Sequence, residues 1–231
     1  MKRNIGIYFL SGICMMFLAA ALPGTASSIT VQNYSFETPV YSDGGGGISG
    51  AIDGWIGARS SGGEWSISSI RNPYATDYTS AYDGSQVAFS RSNVMDTVGF
   101  VSSFYQDLGD VLTANTTYRL RVDIGNPGSA SFGGYTVQLM TVEGNSVLVQ
   151  DINTLAPADK QFLISDIFYT ALASDTNLGR HLRINLISLG SQTDFDNVRL
   201  DAAPVPIPNV AWLFSSGVVT LFGLKRRRPK L

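Results

Sequence analysis

A regular alternation of apolar and charged side chains is the feature that most constrains how this chain folds. Residues 118–124 alternate large apolar side chains with arginine and aspartate, and residues 135–139 continue the apolar half of the pattern. Because successive side chains of a strand point to opposite faces, a period of two places one face in a core and the other in water. Similar segments recur at residues 65–70, 86–90, 102–108, 147–152, 162–170, 182–188 and 195–200.

Turn-forming residues separate these segments, and helical periodicity is nearly absent. The connections include Asp83-Gly84, Gly109-Asp110, Asn126-Pro127-Gly128 and Glu143-Gly144-Asn145, which are typical of tight turns. Many short strands with such punctuation predict an all-β fold, an antiparallel jelly-roll sandwich of the galactose-binding or carbohydrate-binding-module kind. We predict that residues 27–203 form this domain.

The first 26 residues have the pattern of a secretory signal peptide. Lys2 and Arg3 precede an apolar run over residues 5–22, and small residues follow up to Ala26, where we predict cleavage. The alternative is an uncleaved N-terminal anchor, which the Pro-Gly break directly after the run disfavours. Cys14 is the only cysteine and lies in this segment. The exported body therefore depends on its core, or on its core and a metal, rather than on disulfides.

The last residues, 204–231, combine three features of a sorting tail. A Val-Pro-x-Pro motif at 205–208 is followed by a largely apolar run at 210–224 and a basic end at 225–230. The run is shorter than the roughly 20 residues that span a bilayer comfortably. The positive-inside rule keeps the basic end cytoplasmic and places the body across the membrane. The residues that define the tail are Val205, Pro206, Pro208, Arg226, Arg227 and Arg228.

This three-part tail resembles the PEP-CTERM sorting signal. The resemblance implies an exosortase-type processing protease as partner and cleavage near residues 206–208. It also implies transient anchoring in the inner membrane of a Gram-negative-type envelope, and release to the cell surface or extracellular matrix. An ordinary C-terminal membrane anchor is the alternative, which explains the basic end but not the proline motif.

Charge is divided unevenly along the chain. Seven of the 16 basic residues fall in the two ends, whereas all 18 acidic residues fall in the body. A body this acidic repels phosphate backbones, so no nucleic-acid partner is expected. Carboxylates are also preferred ligands of calcium, and calcium is abundant outside the cell.

Five short motifs occur in order along the body: Asn33-x-Ser35-Phe36-Glu37-Thr38-Pro39, Gly54-Trp55, Gln106-Asp107-Leu108, Thr116-Thr117-Tyr118-Arg119-Leu120 and Phe195-Asp196-Asn197-Val198-Arg199-Leu200. Together they resemble the carbohydrate-binding-module-like jelly roll of the hapalindole-cyclase family over residues 29–202. Family members with demonstrated chemistry bind calcium and rearrange indole alkaloids, using an acidic residue in an aromatic pocket. The resemblance implies the same possibilities for this chain.

Asp196 is the first candidate site residue. If alternation persists along its strand, its side chain shares an inward face with Val198 and Leu200, and a buried carboxylate is costly unless paired or bound to metal. Glu37 resembles the acidic calcium ligand that such modules place beside the closing strand. We predict a structural calcium ion held by Glu37, Asp196 and backbone carbonyls. Alternatively, Asp196 caps a turn and Glu37 is solvated. Other possible loop ligands are Asp53, Asp77 and Asp83.

Asp194 has two interpretations. By the resemblance it is the pocket acid, but aspartate is common in turns, which favours a loop residue ahead of the last strand. Tyr74, Tyr78 and Tyr82 lie in a polar loop with little reason to be buried, so we predict that they are exposed ligand-binding rings.

Several other chemistries lack their signatures. No Gly-x-Ser-x-Gly elbow occurs, and His181, the only histidine, excludes histidine-rich zinc sites. Residues 44–47 are glycines without the lysine of a phosphate-binding loop, which favours a flexible loop. The paired carboxylates of a glycosidase can be recognised only from the distance between them, so the sequence does not exclude this class of enzyme.

The sequence thus predicts an exported, calcium-stabilised sandwich that binds extracellular polysaccharide through its loop tyrosines without catalysis. The alternative is a calcium-dependent cyclase or isomerase of the hapalindole-cyclase type, with Asp194 or Asp196 as an acid among aromatic rings. A structural scaffold without a small ligand is a third hypothesis.

Overall fold

The computed structural model describes residues 25–46, 52–59, 66–79, 82–92 and 102–205. The predicted signal peptide up to residue 24 and the predicted sorting tail from residue 206 lie outside these residues. Within the described ranges, no helix has the length and hydropathy needed to cross a membrane. The strands in chain order are β1 (Ser27–Ile29), β2 (Ile56–Arg59), β3 (Ser66–Arg71), β4 (Val87–Ser92), β5 (Ser102–Val111), β6 (Thr116–Asn126), β7 (Tyr135–Thr141), β8 (Val147–Ile152), β9 (Gln161–Ala171), β10 (His181–Ser188) and β11 (Thr193–Pro204).

The strands form two antiparallel sheets. One has the order β3-β4-β11-β6-β9, with β1 also paired to β11, and the other has the order β2-β5-β10-β7-β8. Apolar side chains from both sheets meet between them, and Phe104 of β5 packs edge-on against Phe195 of β11 at 5.6 Å between ring centroids. This arrangement confirms the predicted all-β antiparallel sandwich.

A β-bulge in β11 decides which way its acidic residues point. The pairing of β11 with β6 shifts between Asp196 and Arg199, and Asn197 has a φ of 50°. The extra residue reverses the alternation, so Phe195 and Val198 both lie in the core. Asp194 and Asp196 flank Phe195 and therefore point away from the other sheet. The predicted shared face of Asp196 and Val198 is wrong for this reason.

Loops cover the outer surface of β11, so its two carboxylates are buried on that side as well. Tyr78, from the connection between β3 and β4, contacts Asp194, and the backbone N–H of Asp83 from the same connection bonds Asp196. Both aspartates are fully buried. The candidate site therefore lies between the outer face of the six-stranded sheet and the β3–β4 connection.

The last strand extends slightly beyond its predicted end. Pro204 pairs with Thr116 of β6, and the N–H of Val205 donates to the carbonyl of Asn115 at 2.8 Å. Proline itself has no N–H to donate to a ladder. The ladder continues because Val205 supplies the next bond.

A buried carboxylate on β8 ties the two sheets together. Asp151 accepts hydrogen bonds from the hydroxyls of Tyr135 on β7 and Ser165 on β9, each at 2.6 Å. The N–H of Thr154 donates to its other oxygen at 3.2 Å. Because β8 and β9 belong to different sheets, this cluster closes the sandwich at one edge.

Replacing Asp151 with asparagine is expected to lower the free energy of unfolding by about 1–3 kcal/mol, since the new amide nitrogen cannot accept the two hydroxyl protons. Burial opposes ionisation, but the hydrogen bonds from Ser165, Tyr135 and Thr154 prevail and lower the pKa of Asp151. Its stabilising effect is then present above the unfolded pKa of about 3.9 and lost as the pH falls through the folded value. Urea unfolding at several pH values checks this.

The matched control is Asp110→Asn, which removes an exposed carboxylate from β5. It should unfold like the wild type throughout. An equal loss of stability in both variants would rule out a special role for Asp151.

Candidate active site

The centre of the site is the carboxylate of Asp194. Its Oδ2 accepts hydrogen bonds from Arg71 Nη2 at 2.8 Å, Arg71 Nε at 3.1 Å and the hydroxyl of Tyr78 at 2.6 Å. Its Oδ1 accepts from Gln192 Nε2 at 2.7 Å. Three donor side chains, two from residues 71–78 and one from the start of the last strand's own segment, thus hold one buried carboxylate in a fixed orientation.

Gly125 makes room for this arrangement. Gly125 belongs to β6, where it lies directly opposite Asp194 of β11 on one side and Phe162 of β9 on the other. A Cβ atom at this position would lie 2.5 Å from the Phe162 ring and 2.9 Å from the Tyr78 hydroxyl. The glycine therefore lets the ring of Tyr78 pack on that of Phe162, with 4.4 Å between centroids, while its hydroxyl reaches Asp194.

Gly125→Ala is expected to push Phe162 or Tyr78 aside and to cost about 1–3 kcal/mol of stability, as overpacking of a filled site does. The control is Gly109→Ala, at a strand position where a new Cβ meets no atom within 4 Å. Chemical denaturation of both variants checks the prediction, and equal midpoints would contradict it.

The site contains more buried charge than Asp194 alone. Arg71 Nη1 also binds Asp77 Oδ2 at 3.0 Å. Burial by itself lowers the pKa of Arg71, but Asp194, Tyr78 and Asp77 raise it more, so the guanidinium stays charged. Burial, followed by the negative charge of Asp194, raises the pKa of Tyr78 and keeps its phenol protonated. Arg71 and Tyr78 therefore both keep their protons within the cluster.

A pocket of about 210 Å³ opens beside this cluster. Its wall contains Arg71, Asp77 and three consecutive glycines, and its full lining is Gly44, Gly45, Gly46, Arg71, Asn72, Tyr74, Asp77 and Phe89. Gly44 has a φ of 71°, and a Cβ there would overlap the Tyr74 ring. The Gly45 carbonyl accepts from the N–H of Asn72 at 2.8 Å. The glycine run, predicted to be a flexible loop, is a hydrogen-bonded wall of the pocket over its described residues.

The two predicted calcium ligands both contact the turn at residues 83–86. Glu37 accepts hydrogen bonds from the N–H groups of Ser85 and Gln86 at 2.9 and 2.8 Å. Asp196 accepts from the N–H groups of Asp83 and Asn197, both at 2.7 Å. In the described part of the chain, no group of three or more His, Cys, Asp or Glu residues is arranged to hold a metal.

The charge around Asp196 nevertheless fits a cation. Burial is the main cause that raises the pKa of Asp196, to about 9, and the nearby carboxylates of Asp123 and Asp83 raise it further. Two backbone N–H groups oppose the shift without reversing it. A buried carboxylate near other carboxylates is poorly compensated. Oxygen donors of this kind are the ligands that calcium prefers.

The three predicted ligand-binding tyrosines lie in different environments. Tyr74 is 57% exposed at the pocket, whereas Tyr78 is buried. Tyr82 is half-buried and packs against Tyr78 at 5.6 Å between centroids. The prediction that all three are exposed is wrong for Tyr78, because its hydroxyl is satisfied by Asp194 inside the protein.

Arg71, Gln192 and Gly125 were not predicted as site residues, and a loop position was favoured for Asp194. Asp194 is in fact the second residue of β11. One signal was present, since Asp194 and Asp196 both flank the apolar Phe195 in a strand-like pattern. Arg71 carried no such signal, because its partner Asp194 is 123 residues away, and Gln192 lies only two residues from Asp194 but in no recognisable motif.

The profile of the HpiC1-like family, described as HpiC1 cyclase, matches residues 27–201. An apo cyclase from Fischerella sp. is 31% identical, with a TM-score of 0.70 over 79% of this chain and 98% of that chain. The Stig cyclase Fisc from Fischerella sp. TAU was solved with (3Z)-3-(1-methyl-2-pyrrolidinylidene)-3H-indole. It is 32% identical, with a TM-score of 0.69, and the match covers 79% of this chain and 100% of that chain. A cyclase from Fischerella sp. TAU in complex with 4-(1H-indol-3-yl)butan-2-one is 31% identical, with a TM-score of 0.67, and the match covers 78% of this chain and 100% of that chain. The curated protein sequences contain no significant match.

These similarities correct the main functional prediction. The family and the similar structures are cyclases, so non-enzymatic binding of polysaccharide is wrong. The structure explains why the sequence misled: the tyrosines do not form an exposed strip, since Tyr78 turns inward to a buried carboxylate. The alternative prediction, an enzyme with an acid among aromatic rings, agrees better with these findings.

Proposed function

We propose that this chain, which belongs to the HpiC1-like family, is a cyclase that isomerises an indole-bearing substrate. The observation that carries the proposal is Asp194, fully buried and held by Arg71, Tyr78 and Gln192 beside a pocket. A preorganised, water-excluded carboxyl is suited to proton transfer and to stabilising developing charge.

The substrate class is inferred from the relatives and from the size of the pocket. Two of the similar cyclases were solved with indole compounds. The pocket of about 210 Å³ exceeds the roughly 150 Å³ that accommodates benzene. Phe89 and Tyr74 supply aromatic surface in its lining, where a flat ring can pack.

In an isomerisation, substrate and product contain the same atoms, so a proton that the carboxylate takes from one substrate atom must be returned to another. We assign this exchange to the carboxyl of Asp194. Arg71 and Gln192 keep the carboxyl oriented, and Tyr78, which remains protonated, donates to it. Tyr82 and Phe162 support the Tyr78 ring from the outside.

The direct test is to incubate the purified full chain with a panel of 3-alkenylindoles and search for products of unchanged mass. Mass spectrometry with chromatography detects isomers, and nuclear magnetic resonance identifies a new ring. Heat-denatured protein is the control. If the native protein converts none of the compounds faster than the control, the cyclase proposal fails.

We further propose that Glu37 and Asp196 hold a structural calcium ion together with backbone carbonyls of the neighbouring turn. A bound calcium ion would supply the positive charge that the surroundings of Asp196 lack. Its expected role is to stabilise the fold by holding in place the segment that runs from Glu37 to the glycine wall of the pocket.

Export remains a proposal from the sequence alone. The signal-peptide pattern and the basic end of the tail support secretion of the body across the inner membrane, with an exosortase-type protease as processing partner. Periplasmic and cytoplasmic reporter fusions test it. A cytoplasmic location of the body would contradict it.

A further inference from the structure

Three formal charges meet in one cluster beside the pocket, and two of them are negative. Arg71 forms ion pairs with both Asp77 and Asp194, and each of these carboxylates is more than nine-tenths buried. Buried charges are stable only when they are compensated. One guanidinium against two carboxylates leaves this group short of one positive charge.

Asp77 directs the surplus negative charge into the pocket. Its Oδ2 binds Arg71, but among the described residues its Oδ1 has no hydrogen-bond partner. The backbone of Asp77 is fixed by bonds to the Tyr74 carbonyl at 2.8 Å and the Gly128 N–H at 3.2 Å. A positioned carboxylate oxygen without a donor, in the lining of a pocket, is an acceptor for a charged N–H group.

The remaining lining is compatible with a cation. The rings of Tyr74 and Phe89 lie in the pocket wall, and aromatic faces attract cations through their negative π-surface. The three glycines of the lining contribute backbone only, so they bring no competing positive side chain. Arg71 is the one basic residue in the described lining, and its charge is already shared between the two carboxylates.

Resting on the proposed cyclase function, we infer that this pocket selects indoles whose side chain carries a protonated amine. The ammonium group donates to Asp77 Oδ1, and the ring system packs against Tyr74 and Phe89. Asp77 is thus a specificity-determining residue, and the bound cation neutralises the surplus charge of the cluster.

The test compares three indoles of similar size by calorimetry on the full chain at pH 7: tryptamine, the neutral 3-propylindole and the anionic indole-3-propionate. Tryptamine should bind about 10- to 100-fold more tightly than 3-propylindole, the range that one hydrogen bond to a charged group supplies. Indole-3-propionate should bind most weakly. Asp77→Asn should abolish the preference for tryptamine over 3-propylindole.

Asp110→Asn, which removes a distant exposed carboxylate, is the matched control and should keep the wild-type order. Equal affinities of the wild type for tryptamine and 3-propylindole would overturn the charge selectivity but would not contradict the proposed cyclase function. If no indole binds to folded protein, both the selectivity and the proposed function fail. Retention of the full preference in Asp77→Asn would overturn the assignment to Asp77. The wild-type comparison does not depend on any variant folding.

Discussion

Replacing Asp194 with asparagine is expected to lower the rate of isomer formation by about 10²- to 10⁴-fold, the usual contribution of a positioned acid–base group. Asparagine has nearly the same shape and can still accept hydrogen bonds through its Oδ1, but it cannot exchange a proton. Arg71 keeps a counter-charge in the variant, because Asp77 still binds its Nη1. The sandwich should therefore remain folded, which circular dichroism can verify.

Tyr78→Phe is a second variant in case the asparagine disturbs the fold. It removes one hydrogen bond to Asp194 and retains the ring that packs on Phe162. We expect a smaller loss of rate than for Asp194→Asn. Asp110→Asn controls for the loss of a carboxylate and should behave like the wild type. Full activity in Asp194→Asn would falsify the assignment of Asp194 as the proton-exchanging group.

Calcium is expected to raise the melting temperature of the chelated protein by about 5–10 °C. A calcium concentration 100-fold above the dissociation constant stabilises the folded state by about 2.7 kcal/mol, and each kcal/mol shifts the melting temperature of a domain of this size by about 2–4 °C. Asp196→Asn and Glu37→Gln should lose most of this gain, because each removes a carboxylate from the proposed ligand set. Asp110→Asn should keep it.

The chelated protein should also lose stability as the pH rises. The folded pKa of Asp196, raised to about 9 mainly by burial, exceeds its unfolded value of about 3.9. The protonated group therefore contributes full stability below about pH 4, and this contribution is lost progressively as the pH approaches 9. The gain from calcium should grow over the same range. If calcium leaves the melting temperature unchanged at every pH tested, or if Asp196→Asn keeps the whole shift, the proposed calcium site is contradicted.

The fold could be predicted because its signals are local. The alternation in residues 118–124 became the centre of β6, and the turn at residues 143–145 separates β7 from β8. The short strands β1 and β2 were missed, since three or four residues are too few to show a period. Their formation depends on partners far along the chain, β11 and β5.

The site was predicted only in part, because the sequence does not show which residues meet. Asp194 was considered as an acid, but the frequency of aspartate in turns favoured a loop position, whereas its bonds join it to Arg71, 123 residues away. Tyr78 was identified for its aromatic ring and misplaced at the surface. The bulge at Asn197 also escaped prediction, and it changes the direction of Asp196 relative to Val198.

By itself the sequence determined the β class, the antiparallel pattern and the acidic residues available for chemistry, since these depend on periodicity and composition along a single segment. Only the tertiary structure decided that Asp194 is enclosed by Arg71 and Tyr78, and that Asp77 lies in the lining of the neighbouring pocket. The physical reason is that burial and charge compensation depend on contacts between distant segments. The same carboxylate is a solvated turn residue or a reactive group according to what folds against it.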